Sequence, residues 1–346
     1  MFRDVVLQDT RPEEWPAIRE RIHQRVAGCM GTPPQVKVAP EMQVVKEYEN
    51  YGLKHLLIRF RVLPDEYGLA VMVMPEGVSA QRPAPAVVVC HGTARAEGKY
   101  SVLTREAKDF RGYAIDLAQR GFVAVAPDTY IFGELLTRGE DLPYPEIEKR
   151  WNEANAQFAK AHPEWPLDGR RLWDHQRLLD LLDTLDFVQP KTYGVIGNSL
   201  GGRTTIFLTA FDERIGAGVP STGVSPNVTN IYRSGAQRVS KWADYVRGSD
   251  LDYEYQDIIA LAAPRPLLII EPFNDPYNPF LAANFQVYLS GQRAYGLLGK
   301  PECFCTLNHG DGHGIPPDAC EFAYRWFERW LTRENAAAPA AKQAGR

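Results

Sequence analysis

"YGVIGNSLGG" (193–202) decides how the rest of the chain is read. An apolar run leads into a glycine-rich corner, one serine sits in that corner, and a helix-like segment follows. Gly197, Asn198, Ser199, Leu200 and Gly201 satisfy the pattern Gly-x-Ser-x-Gly. On a sharp strand-to-helix turn this pattern lifts a serine hydroxyl above the end of a sheet, where it can act as a nucleophile. An ordinary tight turn satisfies the same short pattern. A glycine-rich corner also resembles a phosphate cradle, but no Lys-Ser/Thr pair follows, which excludes a P-loop.

The flanks settle the context. Upstream, "AVVVC" (86–90) and "FVAVAPD" (122–128) are continuous apolar runs; downstream come "IGAGVPS" (215–221), "PLLIIEP" (266–272) and "ECFCTL" (302–307). Such runs fit strands buried on both faces of a parallel sheet. Helical spacing separates them, over 105–121, 173–188, 202–212, 279–298 and 318–331. A further helix is expected near 12–27, and two leading strands at 54–63 and 67–76. In helix 173–188 the leucines follow ordinary core spacing. Alternating strands and helices predict an α/β fold, a mostly parallel central sheet covered on both faces. Ligands on such sheets bind beyond the carboxyl ends of the strands, which is where Ser199 falls.

The expected organisation is a single domain over 1–334, with an N-terminal extension (1–84), a lid-like insertion rich in charge and aromatic rings (129–172) and a flexible tail (335–346). A second polar and aromatic excursion covers 222–258. The chain has 346 residues, 45% hydrophobic and 24% charged, as soluble globular proteins do. Its formal charge of −4 gives no electrostatic reason to expect nucleic acid or an anionic membrane as partner. Five cysteines at irregular spacing are not a disulfide framework and fit a reduced, cytoplasmic compartment. The N-terminus lacks the apolar stretch of a signal peptide. No histidine spacing suggests a metal, and no cofactor is expected; a homo-oligomer is possible.

A serine hydroxyl needs a base to take its proton, usually a histidine oriented by a carboxylate. Downstream of Ser199 only His309 and His313 occur, both in "NHGDGHGIPP" (308–317). His313, flanked by Gly312 and Gly314, is favoured as base, with His309 a supporting loop residue. The candidates for the acid are Asp275, in the Pro-flanked loop after a strand, and Glu271 at the strand end; Asp275 is favoured, though an Asx turn before Pro276 would also explain it. The backbone amides of Leu200 and Thr93 are the candidate oxyanion donors. His91 is expected to brace its loop. Tyr130 and Phe132 are candidate pocket walls. Arg203 is a candidate for binding a substrate carboxylate or, more simply, for an ion pair.

The chain here resembles the α/β-hydrolase fold family, in particular its dienelactone hydrolase and acetyl xylan esterase-like branch. The resemblance is carried by "CHGT" (90–93), "GFVAVAPD" (121–128), "GVIGNSLGG" (194–202), "DERI" (212–215), "RPLLIIEPFNDP" (265–276) and "GDGHGIPP" (310–317), in the family's order. It implies Ser199 as nucleophile, Asp275 as acid and His313 as base. Two positions depart from the pattern: Asn198 stands where His is frequent, and Glu271-Pro272 where Gly usually follows. The expected activity is hydrolysis of a small-molecule carboxylic ester through an acyl-enzyme. The alternatives are the same triad acting on an amide or carbon–carbon bond, or a non-catalytic binding protein on this fold.

Overall fold

The computed structural model describes residues 4–36, 38–106, 112–227 and 253–332. Its strands are β1 (Gln43–Asn50), β2 (Leu53–Leu63), β3 (Glu66–Met74), β4 (Ala86–Cys90), β5 (Val123–Pro127), β6 (Tyr193–Asn198), β7 (Ile215–Ser221), β8 (Leu267–Pro272) and β9 (Phe304–His309). They form one nine-stranded sheet ordered β1-β2-β3-β5-β4-β6-β7-β8-β9. The first three strands pair antiparallel and join β5 antiparallel; from β5 to β9 every pairing is parallel. The apolar runs of β4, β5 and β8 are buried along their whole length.

The helices are α1 (Trp15–Met30), α2 (Tyr113–Gln119), α3 (Glu134–Thr137), α4 (Tyr144–Ala161), α5 (Leu167–Leu182), α6 (Leu200–Phe211), α7 (Tyr255–Ala262), α8 (Leu281–Leu297) and α9 (Pro317–Leu331). One core packs α1, α5, α6, α7 and α8 on one sheet face through Ile22, Leu178, Ile206, Ile258 and Val287. A second packs α2 and α9 on the other through Ile115, Leu117, Tyr324 and Phe327. The period of two in β4 divides its side chains accordingly: Val88 and Cys90 enter the first core, Val87 and Val89 the second.

The chain leaves β4 for β5 on one side, then returns to place β6 on the other. This reversal opens a crevice at the carboxyl ends of β4 and β6, the usual ligand position in such sheets. "HGT" (91–93) and Ser199 emerge there.

Four elements differ from the sequence expectation. Strand β1 was not anticipated, because it lies exposed at the sheet edge and its polar, charged sequence shows no apolar alternation. Its hairpin with β2 turns through Tyr51 (φ 52°) and Gly52 (φ 71°), as the tight primed turns require. Helix α5 starts at Leu167 rather than 173, since the charges that resemble a loop are buried and paired, Arg170 with Asp174 and Arg171 with Asp168. Helix α7 begins inside the expected 222–258 excursion and runs past its end; 228–252 of that excursion falls outside the described residues, as does the tail 335–346. The helix expected over 105–121 is helical from Tyr113 to Gln119, with 107–111 outside the described residues.

Candidate active site

Ser199 follows β6 directly and caps α6 with φ 60° and ψ −117°. That left-handed backbone is uncommon for a residue with a side chain and persists only where the surroundings over-determine it. Here they do. A Cβ at Gly201 would collide with the carbonyl oxygen of Cys90, so the start of α6 rests directly on the end of β4. The Ser199 N–H donates to Ser221 O at 2.9 Å and to Thr222 Oγ1 at 2.9 Å, which pins the elbow to the end of β7.

The acid and base candidates arrive from β8 and β9, and their loops are cross-linked. Asn274 Nδ2 donates to Gly310 O at 2.7 Å, and the Gly312 N–H donates to Asn274 Oδ1 at 2.9 Å. Within this frame His313 Nδ1 lies 2.8 Å from Asp275 Oδ2, and the Tyr277 N–H donates to Asp275 Oδ1 at 2.7 Å. The Asp275 side chain is fully buried. Burial alone would raise its pKa, but the hydrogen bond and charge of His313, with the amides of Tyr277 and Asn278, outweigh it and hold the carboxyl below the ordinary aspartate value. An ionised Asp275 accepts from Nδ1–H and leaves Nε2 as the basic nitrogen. The Tyr277 ring meets the imidazole edge-on at 4.7 Å.

Ser199, His313, Asp275, Leu200, Thr93 and Arg203 all line one cavity of about 590 Å³. Among the described residues the Ser199 hydroxyl makes no hydrogen bond to the imidazole. Apo sites of this kind often tighten only with substrate bound. Gly310, Gly312 (φ 73°) and Gly314 flank His313 in a loop free of close contacts at those glycines. The Thr93 hydroxyl is buried in the cavity wall without a partner.

His91 braces its loop as expected. It is completely buried; Nδ1 donates to Gly92 O at 2.6 Å and Nε2 accepts the Thr129 N–H at 2.9 Å, tying the β4 loop to the end of β5. Burial pushes its pKa down to about 4, consistent with a neutral ring. His309 supports the other loop, its Nδ1 accepting the Asp311 N–H at 3.2 Å. The far end of the β4 loop is anchored by Lys99, whose Nζ reaches Asp128 Oδ2 at 2.7 Å with both side chains fully buried. Lys99→Met strands the Asp128 carboxylate in the interior and should cost about 3–5 kcal/mol of stability, read as a lowered denaturant midpoint.

The pocket-wall expectation for Tyr130 and Phe132 is corrected. Phe132 is fully buried against His91 and Trp151, and Tyr130 packs on Phe158 beneath the Arg170 guanidinium. Both rings were placed at the cavity because they follow β5, but the chain turns them inward to form the core of 129–172 with Leu136, Ile147 and Trp165. The segment instead reaches the cavity through Tyr144 and Glu148 of α4. Arg203 takes the simpler of its two readings, an ion pair with Asp168 at 2.6 Å, while still lining the cavity. Tyr144 belongs to the aromatic residues expected of the 129–172 insertion; Arg95, Tyr277 and Thr222 also line the cavity and lie outside the expected site. For Tyr277 a signal existed, two residues after Asp275; for Arg95 no pattern marks the residue.

Glu271, the alternative acid, is fully buried and is hydrogen-bonded to other side chains of the core. Asn284 Nδ2 and the Tyr288 hydroxyl each donate to it at 3.0 Å. Burial raises its pKa to about 8, from an ordinary value of 4.5, although those donors pull the other way. A carboxyl raised in the folded state contributes stability fully present below the unfolded value and lost as pH rises through the folded one. Wild-type melting temperature should therefore fall between about pH 5 and pH 8.5 more steeply than that of Glu271→Gln, a difference measured by thermal scans across that range.

Among the described residues no group of three or more His, Cys, Asp and Glu side chains is arranged to hold a metal ion. No helix there is long and apolar enough to cross a membrane. None of the five cysteines, all among the described residues, is joined in a disulfide.

The Dienelactone hydrolase family model matches residues 70–238. A Bacillus subtilis protein bearing the name of a hydrolase, YtaP, is 23% identical over 304 residues, covering 86% of this chain and 95% of that protein. The 4-O-methyl-glucuronoyl methylesterase 1 of Wolfiporia cocos is 24% identical over 188 residues, 47% of this chain and 46% of its own length. Among solved structures, a Bacteroides fragilis protein described as an acetyl xylan esterase superposes with a TM-score of 0.69 at 16% identity, covering 95% of this chain and 86% of that one. A glucuronoyl esterase from Solibacter usitatus gives 0.69 at 14% identity, covering 94% and 96%. The family match runs from within β3 past β7, just under half of the chain, and the structural likeness extends over nearly the whole molecule: this chain has an α/β-hydrolase fold and is similar over its central part to the dienelactone hydrolase family.

Proposed function

We propose that the protein is a serine hydrolase that cleaves a carboxylic ester through an acyl-enzyme on Ser199. One observation carries the reading: a fully buried, ionised Asp275 holds His313 at 2.8 Å in the same cavity as a serine on a left-handed elbow. In this mechanism His313 Nε2 takes the Ser199 proton as Oγ attacks the ester carbonyl. It then gives that proton to the leaving alcohol. In the second half it deprotonates the water that releases the acid. Asp275 keeps the imidazole in the required tautomer and stabilises its cation. The amides of Leu200 and Thr93 receive the oxyanion.

The relatives' names, acetyl xylan esterase and glucuronoyl methylesterase, point to esters of carbohydrates as the class to try first. The exposed rings of Tyr144 and Tyr277, both lining the cavity, suit the flat apolar face of a sugar. Five cysteines outside any disulfide support a reducing compartment for the protein.

The test has two arms. A fluorophosphonate should label wild-type protein stoichiometrically, with the adduct mapped by mass spectrometry to the peptide carrying Ser199. Turnover is then compared across nitrophenyl esters of increasing acyl length, acetylated xylan, a methyl glucuronate ester, anilides and β-diketones. Labelling elsewhere, or none, removes the reading. Cleavage of anilides or diketones in preference to every ester keeps the nucleophile and changes the reaction class.

A further inference from the structure

Two residues with side chains stand in the left-handed region within the same small volume: Ser199 at φ 60° and Thr222 at φ 47°. For a β-branched residue this conformation is a real outlier, so something must hold Thr222 there. Its own N–H donates to Ile270 O at 3.0 Å, on β8, the strand that leads to Asp275. Its hydroxyl accepts the Ser199 N–H at 2.9 Å and donates to Asn198 Oδ1 at 2.9 Å. The Ser221 hydroxyl donates to the same Asn198 oxygen at 3.0 Å, and Ser221 O shares the Ser199 N–H at 2.9 Å. The backbones behind this ring have no room between them, because a Cβ on Gly202 would strike Ser221 O and one on Gly223 would strike Gly202.

From this geometry we propose that Thr222 is a positioning residue for the nucleophile, acting through its hydroxyl. The side chain lies between the serine elbow and β8, and its oxygen closes a hydrogen-bonded ring with Ser199 and Asn198. Without that oxygen the Ser199 N–H keeps only the Ser221 carbonyl, and the elbow can rotate about its strained φ. Rotation moves Oγ relative to His313 and swings the Leu200 amide that follows. This also gives Asn198 a role: with its Oδ1 committed to two hydroxyls, the side chain serves the elbow from beneath.

The proposal rests on Ser199 being the nucleophile, and the experiment separates the two. Wild type, Ser199→Ala, Thr222→Val, Thr222→Ser and Asn198→Ala are compared for fluorophosphonate labelling rate, for kcat and KM on a nitrophenyl ester, and for melting temperature. Thr222→Val keeps the branched shape and loses the hydroxyl. It should lower both the labelling rate and kcat by about 10- to 100-fold with KM changed less than about threefold, the size expected for a misplaced reacting atom. Thr222→Ser restores the oxygen and should recover rates to within about threefold of wild type. Asn198→Ala removes the acceptor of the Thr222 proton and should show the same kcat-specific loss, which keeps the test decisive should Thr222→Val fold poorly. Wild-type rates in both Thr222→Val and Asn198→Ala overturn the proposal, as does a Thr222→Ser variant that falls as far as Thr222→Val. If wild type and Ser199→Ala label alike, the nucleophile assignment itself is at fault.

Discussion

Ser199→Ala should reduce ester turnover by about 10⁵- to 10⁶-fold while leaving the fold intact. The size follows from the division of labour: without Oγ the acyl-enzyme cannot form, and what survives is binding plus oxyanion stabilisation, which by themselves leave about 10³–10⁴ over water in comparable hydrolases. Stability should hardly move. The side chain is partly exposed at the cavity wall, so truncation opens no buried void, and the backbone bonds to Ser221 and Thr222 do not involve the hydroxyl. A change within about 1 kcal/mol is expected. Purified variant protein is assayed for turnover, for phosphonate labelling and by thermal scan. Residual activity above about 1% of wild type, free of contaminating esterase, would sink the assignment of Ser199.

Asp275→Asn is the second large effect, and it separates orientation from bulk. The two side chains have the same shape, and the Tyr277 N–H can still donate to an amide oxygen placed where Oδ1 now lies. The group facing His313 Nδ1 at 2.8 Å then becomes an NH₂ donor, which forces the imidazole proton onto Nε2. A nitrogen that already carries its proton cannot take one from Ser199. A loss of about 10⁴-fold in kcat is expected, with KM little altered. The remaining activity should climb with pH as hydroxide substitutes for the missing base. A loss smaller than about tenfold would mean that another carboxylate orients His313. Glu271, buried among Asn278, Asn284 and Tyr288, is in no position to do so.

The central sheet is readable because β4, β5, β6 and β8 are buried on both faces and are therefore spelled mostly by apolar residues, with Glu271 and Asn198 as exceptions near strand ends. Their spacing, with helical periodicity between, places Ser199, Asp275 and His313 at one end of the sheet before any coordinates are seen. The structure brings Asp275 and His313 together there, Oδ2 and Nδ1 2.8 Å apart. Elements whose stability comes from charge pairing or turn geometry were harder to see. Strand β1 is polar because it is an edge, and the first turns of α5 look like a loop until Asp168 and Asp174 meet their arginines. The cavity walls were least legible. Which way Tyr130, Phe132 and Tyr144 face depends on the path of 129–172 after β5, and that path is set by packing of residues distant in sequence, such as Leu200 and Leu63, into its small core.

The glycine-to-carbonyl contacts at Gly201, Gly202 and Gly223 leave the reactive corner without slack, so almost any added atom there displaces main chain. The rim is different. Arg95, in the β4 loop, Tyr144, at the start of α4, and Tyr277, in the β8 loop, line the cavity, and the two tyrosines are exposed. Room for added atoms in this molecule is therefore uneven: the main chain around Ser199 has almost none, while the side chains at the cavity mouth reach open space.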